Sequence, residues 1–232
     1  SMKEWKNHKE LLELIKKELY TAVIGDIMDE MGYTHQFLPP IIRPLCDDMF
    51  LAGRAMTVLE ADVLDSSKVI GGANPLLKRA FGMMLEALDD LKEDEVYVCS
   101  GASPKFALWG ELMSARALQC KAAGAVVNGY SRDTKGILAL NFPTFSYGPY
   151  AQDQAPRGKV IDFRVPIEIE GVRINDGDML IGDIDGVCVV PQEIEEEVFT
   201  CALERARGEK MVLQKIREGM KAREAFDKYG IM

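Results

Sequence analysis

Two short stretches of this 232-residue chain carry residue types that could do chemistry together. The first is FALWGELMS, residues 106–114, where Gly110 opens a run whose apolar spacing predicts a helix. At such a helix start the backbone N–H groups of Gly110, Glu111, Leu112 and Met113 have no intrahelical partner. They form a ready anion site, and a glycine lets a carboxylate or phosphate come close to the backbone. The second stretch is NGYSRD, residues 128–133, which follows an apolar strand. Arg132 can grip a carboxylate through two parallel hydrogen bonds, which a lysine cannot do. Asp133 offers hard oxygens to Mg2+ or Mn2+, and one carboxylate plus waters is a common way to hold Mg2+. Taken alone, each stretch has a commoner structural reading. Gly110 and Glu111 fit an ordinary helix start, and Arg132 with Asp133 fits a surface ion pair plus a helix cap.

Other chemistries find little support. The two histidines, His8 in a leading helix and His35 in a loop, do not suggest a His-based triad or a His-rich zinc site. CSGAS, residues 99–103, is not a GxSxG elbow, and no GxGxxG or GxxxxGK[ST] occurs. Asp26, Asp29 and Glu30 read as a solvated helix face, Asp183 and Asp185 as turn residues, and Trp109 as a packing residue.

The elements that must position the two stretches follow from periodicity. Residues 4–19 predict an amphipathic helix. TAVIGDIMDEMG predicts a second, with Thr21 as cap, Ala22, Ile24, Ile27, Met28 and Met31 on the buried side, and Gly32 as stop. LPPIIRPL, 38–45, is an extended connection, and 53–62 a strand. Residues 71–91 predict a loop and then a helix with Asn74 as cap and Pro75 in its first turn. Strand 95–101, a helix from Gly110 to Ala123 stopped by Gly124, and the strand AVVNG compose a βαβ unit with parallel strands. Ligands in such sheets collect beyond the carboxyl ends of strands, which brings the 110 and 132 loops near each other. After a short helix at 134–140 the pattern turns to short strands separated by Glu170-Gly171, Asp176-Gly177 and Asp185-Gly186, antiparallel in character. A long amphipathic helix over 192–217 and a shorter one after Gly219 end the chain. The fold class is therefore α/β, one domain with helical extensions at both ends.

Composition bounds the function. An apolar fraction of 47% suits a globular core. Thirty-seven acidic against 28 basic residues give a net charge of −9, which repels phosphate backbones and anionic lipid. Neither nucleic acid nor a membrane is an expected partner. The five scattered cysteines fit reduced core thiols, and the lysine-rich start lacks the apolar core of a signal peptide, so a cytoplasmic location is expected. Ser1-Met2 reads as a protease-cleavage scar, and Ser1 is set aside.

GELMSARALQCKAAGAVVNGYSRDTKGI, with GRAMTV, PTFSYG and GDIDGVCVVP, resembles a known family over roughly residues 20–192. That family groups the ribonuclease regulator RraA with the metal-dependent 4-hydroxy-4-methyl-2-oxoglutarate / 4-carboxy-4-hydroxy-2-oxoadipate aldolases. The resemblance implies an RraA-like α/β sandwich with a mixed sheet core over 21–191, flanked by helical extensions at 1–20 and 192–232. It implies a homotrimer or homohexamer with interfacial sites. It places the pyruvate-carboxylate loop on Gly110, Glu111, Leu112 and Met113, the substrate arginine on Arg132, the metal-ligating aspartate on Asp133, and an assisting acid on Glu111. The implied reaction is a class II retro-aldol cleavage of a 4-hydroxy-2-oxo acid to pyruvate, using Mg2+ or Mn2+, with oxaloacetate decarboxylation as a companion. The family's founding regulators lack the aspartate after the arginine, so Asp133 favours an enzyme. A non-enzymatic ribonuclease regulator and a same-scaffold lyase for a sugar acid are the alternatives.

Overall fold

The longest strand, β2 (Leu51–Asp62), organises a mixed sheet in the computed structural model, which describes residues 2–64, 68 and 71–232. Ser1 lies outside the described residues. On one side β2 pairs in parallel with β3 (Glu95–Ser100), β3 with β5 (Gly124–Val127), and β5 with β7 (Thr144–Ser146). The short β1 (Arg43–Pro44) closes this side antiparallel to β7. On the other side β2 pairs antiparallel with β11 (Met179–Asp183), and β11 with β12 (Gly186–Val190). The far half of β2 also takes β8 (Gly158–Phe163) antiparallel, with a register shift between Leu59 and Glu60. Arg43 on β1 donates to the Ile184 carbonyl in the β11–β12 turn at 3.1 Å, so the sheet is nearly closed.

Strand periodicity explains the two apolar layers. On β3, Val96 and Val98 face one cluster with Val126, Phe145, Leu180 and Val189, while Tyr97 and Cys99 face another with Met56, Val127, Trp109 and Phe142. Successive side chains point to opposite faces, and both faces of these parallel strands are buried. The hairpin β9 (Ile167–Ile169) to β10 (Val172–Ile174) covers the first layer. Its turn, Glu170-Gly171, has positive φ at both residues, as a two-residue hairpin turn needs. Helix α3 (Met84–Asp89) and helix α4 (Glu111–Gln119) lie on the second layer, the side that carries the candidate site. Arg164 anchors the end of α3, donating to Asp90 at 2.6 Å and through two nitrogens to Glu95 at 2.8 Å each.

This sheet and its helices form one compact unit, His35–Gln192. The chain up to Thr34 and from Glu193 onward forms a second, all-helical unit, so the leading and trailing extensions cluster together and include residues 21–34. It contains α1 (His8–Glu18), α2 (Thr21–Glu30), α6 (Glu195–Arg217) and α7 (Ala222–Tyr229). Within it Arg207 on α6 donates to Glu18 at 2.9 and 3.1 Å and to Glu4 at 3.0 Å, and Arg205 pairs with Glu30 at 2.6 Å. Asp26 and Asp29 are exposed, as a solvated face predicts.

Several local expectations need correction. Thr21 is the first helical residue of α2, with Tyr20 in the cap position, and Ala22 is exposed while Val23 takes a buried position. Asn74 does accept an N–H bond, from Leu76 at 3.0 Å, but it caps only a 3-10 turn at Pro75–Lys78. The chain then leaves helical geometry because Phe81 and Gly82 take left-handed φ of 61° and 60° and the segment pairs with Val160 on β8. Helix α4 stops at Gln119, with Lys121 left-handed at φ 59°, instead of at Gly124. Gly124 starts β5, where a Cβ would lie 2.5 Å from Leu51 Cδ1 and 2.7 Å from the Pro143 carbonyl. Its glycine answers close packing, not helix termination.

Candidate active site

The two chemistry-bearing stretches meet because each extends its strand by a short second pairing. Beyond the carboxyl ends of β3 and β5, β4 (Ala107–Trp109) and β6 (Tyr130–Ser131) run parallel, with Ala107 opposite Tyr130 and Trp109 opposite Ser131. The Arg132 N–H continues the ladder to the Trp109 carbonyl at 2.9 Å. That bond sets Arg132 and Asp133 beside Gly110 and the start of α4. The Asn128-Gly129 break allows the approach: a Cβ on Gly129 would lie 2.8 Å from Leu108 Cδ1, and Asn128 is held by the Tyr147 hydroxyl at 2.7 Å.

Asp133 does not cap its own helix, α5 (Thr134–Leu140); its side chain makes no bond there. Its backbone is left-handed at φ 58°, a conformation aspartate tolerates better than most residues. That geometry turns the carboxylate across to the other helix, where Oδ2 accepts the Glu111 N–H at 3.2 Å. Gly110 is extended, at φ −154°, so its backbone does not demand glycine. The carboxylate does: a Cβ on Gly110 would meet Asp133 Oδ2 at 2.8 Å. Arg132 turns away from its sequence neighbour and faces Asp153 at 3.5 Å. The Arg132–Asp133 ion pair suggested by adjacency is therefore absent from the site.

A cavity of about 370 Å³ opens here. Arg132, Asp133, Gly110, Leu112 and Met113 all line it, together with Asp153 and Gln154. The Glu111 side chain is not among the lining groups; it packs over Gly136 on α5, where a Cβ would come within 2.3 Å of its carboxyl carbon. Trp109 forms part of the wall and is also a packing residue: it stacks on Phe142 at 5.8 Å and donates to Ser114 Oγ at 2.7 Å. Ser114 Oγ in turn donates to the Gly110 carbonyl at 2.8 Å, which fixes the first turn of α4.

Behind the wall lies a group that patterning gave no reason to single out. Glu60 on β2 is 2% exposed, and burial, followed by the negative charge of Asp62, pushes its carboxyl up to about 8. The Gln154 side-chain amide lies 3.0 and 3.1 Å from the two Glu60 oxygens. Gln154 thus joins the cavity lining to a buried acid. Asp153 and Gln154 lie in a loop whose composition carries no signal of its pairing, and Glu60 falls inside a strand that reads as ordinary.

Among the described residues no three His, Cys, Asp or Glu side chains cluster as a complete metal cage. The carboxylate donors of this cavity suit a hard cation that keeps most of its waters, the habit of Mg2+ and Mn2+, better than zinc with its nitrogen and sulfur ligands.

Known proteins share both sequence and shape with this chain. The RraA-like profile, Aldolase/RraA, matches residues 21–189. This chain belongs to the Aldolase/RraA family. A Halalkalibacterium halodurans member, provisionally named 4-hydroxy-4-methyl-2-oxoglutarate aldolase, is 32% identical over 77% of this chain and 76% of its own length. Protein DlpA of Legionella pneumophila is 28% identical over 90% of this chain, which spans only 32% of that larger protein. Among solved structures, one described as a cellulase from gut-associated microbes superposes with a TM-score of 0.77 at 35% identity, covering 91% of this chain and 90% of that one. A Streptomyces coelicolor member of the RraA ribonuclease-inhibitor family has a TM-score of 0.74 at 20% identity, covering 89% and 98%, a likeness of fold alone. The family's RraA-like fold is the one seen here. No helix among the described residues is long and apolar enough to cross a membrane.

Proposed function

We propose that this protein is a divalent-metal-dependent lyase that cleaves a 4-hydroxy-2-oxo acid, of which 4-hydroxy-4-methyl-2-oxoglutarate is the reference case, to pyruvate. The observation that carries this reading is the meeting of Arg132, Asp133 and the free amides of the α4 start on one cavity. Arg132 binds the substrate carboxylate, assisted by the N–H groups of Leu112 and Met113, which point along the helix axis where negative charge is favoured. Asp133, held by the Glu111 N–H, is the ligand for Mg2+ or Mn2+. The bound cation supplies Lewis-acid polarisation of the 2-oxo group. The 4-hydroxyl loses its proton to a water in the cavity, the C3–C4 bond breaks, and the electron pair remains on the pyruvate half as an enolate. Arg132 and the helix amides lie where that charge is best stabilised. Glu111 serves chiefly through its backbone, as the clamp on Asp133.

Loss of CO2 from oxaloacetate yields the same enolate, so decarboxylation belongs to the same site. The family resemblance further supports a homotrimer or homohexamer, which light scattering on the purified chain would check. The reaction is tested by coupled pyruvate assays on 4-hydroxy-4-methyl-2-oxoglutarate and oxaloacetate with and without EDTA. Release that stops on chelation and returns with Mg2+ or Mn2+ supports the reading. Turnover that survives both EDTA and Asp133→Ala contradicts the metal role, and a stable ribonuclease complex without any turnover would favour a regulator.

A further inference from the structure

Arg132 and Asp133 run close together, yet they do not pair. A Cβ placed on Gly110 would lie 2.8 Å from Asp133 Oδ2 and 3.7 Å from Arg132 Cγ, so both side chains pass the same point. The left-handed backbone at 133 sets the directions of the two stems. It does not fix the far end of an arginine, whose flexible chain can fold back onto a carboxylate one residue away. Such a pair would occupy both the anion grip and the proposed metal ligand. Keeping them apart requires a competitor at the guanidinium end.

Asp153 fills that place, with Oδ1 at 3.5 Å from Arg132 Nη2. Of the three aspartates that line the cavity, Asp89 is already engaged, accepting from Arg116 Nε at 2.8 Å, which leaves Asp133 and Asp153 to compete for Arg132. Asp153 is also firmly mounted. Upstream, the Ser131 N–H donates to the Gly148 carbonyl at 3.1 Å and the Tyr150 N–H to the Ser131 carbonyl at 2.9 Å, which stitches the loop to β6. Downstream, the Ala107 N–H donates to the Gln152 carbonyl at 2.7 Å and Asp153 bridges to Ala107, which stitches it to β4. Arg157 Nη1 donates to the Asp153 carbonyl at 2.9 Å, and the next residue, Gln154, is buried. The β4–β6 pair thus holds the segment that carries Asp153, and the Arg132 N–H is tied to the same pair at Trp109. One backbone frame sets both partners.

We infer that Asp153 is a positioning residue for the proposed reaction: it draws the Arg132 guanidinium away from Asp133 and so keeps that carboxylate open to the divalent cation. This rests on the proposed metal-dependent site and adds a residue to it. The contact uses one nitrogen of the fork, and a guanidinium carries five N–H donors, so Arg132 retains donors for a substrate carboxylate. Both side chains are partly exposed, and ion pairs of that kind add little stability. The effect of Asp153 therefore shows in metal binding, not in thermal stability.

A metal-free crystal structure of Asp153→Ala reads the geometry directly. We expect the guanidinium to swing to within ion-pair distance of Asp133, and a guanidinium that keeps its place overturns the inference. Mn2+ titrations followed by the electron paramagnetic resonance of the free ion read the consequence. Asp153→Ala should weaken Mn2+ binding by about tenfold with no change in thermal midpoint, because the displaced guanidinium occupies the ligand and repels the metal. In an Arg132→Met background the same substitution should change Mn2+ affinity by less than about twofold, since the group it directs is gone. An equal loss in both backgrounds would show Asp153 attracting the metal by its own charge, and an unchanged affinity in the first would show that it directs nothing; either result overturns the inference. Asp133→Ala separates this from the proposed function. If wild type and Asp133→Ala bind Mn2+ equally, the metal role of Asp133 falls, and the position of the guanidinium in Asp153→Ala still decides whether Asp153 directs Arg132.

Discussion

Two carboxylates stand on opposite sides of the cavity wall, and the protein treats them in opposite ways. Glu60 is sealed in the core layer with the Gln154 amide as its named partner, and desolvation pushes its carboxyl up to about 8. Asp133 stands on the cavity side, given a backbone N–H from Glu111 and room made by a glycine at 110. The same functional group is held as a neutral structural acid in one place and presented as an acceptor in the other. Burial and partner identity decide the role, not residue type.

Breaking the cavity-side half should have the largest effect. Asp133→Ala should lower kcat by roughly 10³-fold with the fold intact by circular dichroism, because it would remove the proposed metal ligand. Added Mn2+ should not restore the rate, whereas it should restore the wild type after EDTA.

Breaking the buried half should change stability instead of chemistry. The folded value of Glu60, about 8, lies above the ordinary 4.5, so the native state holds a proton that the unfolded chain has released between those values. Its contribution is fully present below about pH 4.5 and is lost as pH rises toward about 8, on the order of 5 kcal/mol across the window. Urea midpoints measured against pH should show that decline in the wild type and a flatter profile in Glu60→Gln. A wild-type profile that is flat over this range would refute the buried-acid half of the comparison.

Smaller changes sharpen the cavity side. Arg132→Lys keeps the charge but loses the two-pronged grip, and should cost about 2 kcal/mol, roughly thirtyfold in kcat/KM. Gly110→Ala adds a methyl 2.8 Å from Asp133 Oδ2 and should displace that carboxylate, for about a tenfold loss. Gly136→Ala presses on the Glu111 carboxyl and, since that side chain lies off the cavity, should change kcat less than Gly110→Ala does.

Much of the site was legible because its members lie next to strands whose order periodicity reveals. The βαβ unit through β3, α4 and β5 follows from apolar spacing, and a parallel pair forces the loops after β3 and β5 to the same end of the sheet. What spacing could not give was the direction of side chains. Arg132 and Asp133 are adjacent, yet one reaches Asp153 and the other reaches α4, because a left-handed backbone at 133 rotates them apart. Asp153 and the Glu60–Gln154 pair depend on long-range packing of a loop against β2, which leaves no local pattern. The helix expected after Asn74 forms only in part, as the 3-10 turn Pro75–Lys78 and then α3, for a similar reason, since tertiary pairing with β8 overrode local helix signals at Phe81 and Gly82. Likewise the helical ends are separate stretches in sequence, and only contact between them reveals one unit.

The central claim is that Arg132 and Asp133 together generate and hold a pyruvate enolate. The most direct measurement is the rate at which pyruvate methyl protons exchange with D2O, followed by proton NMR in Mg2+, for the wild type and for Asp133→Ala. Enolate formation at this site predicts exchange in the wild type that stops with EDTA and is absent from the variant. Exchange that proceeds unchanged in Asp133→Ala, or no exchange in the wild type with Mg2+ present, would contradict it.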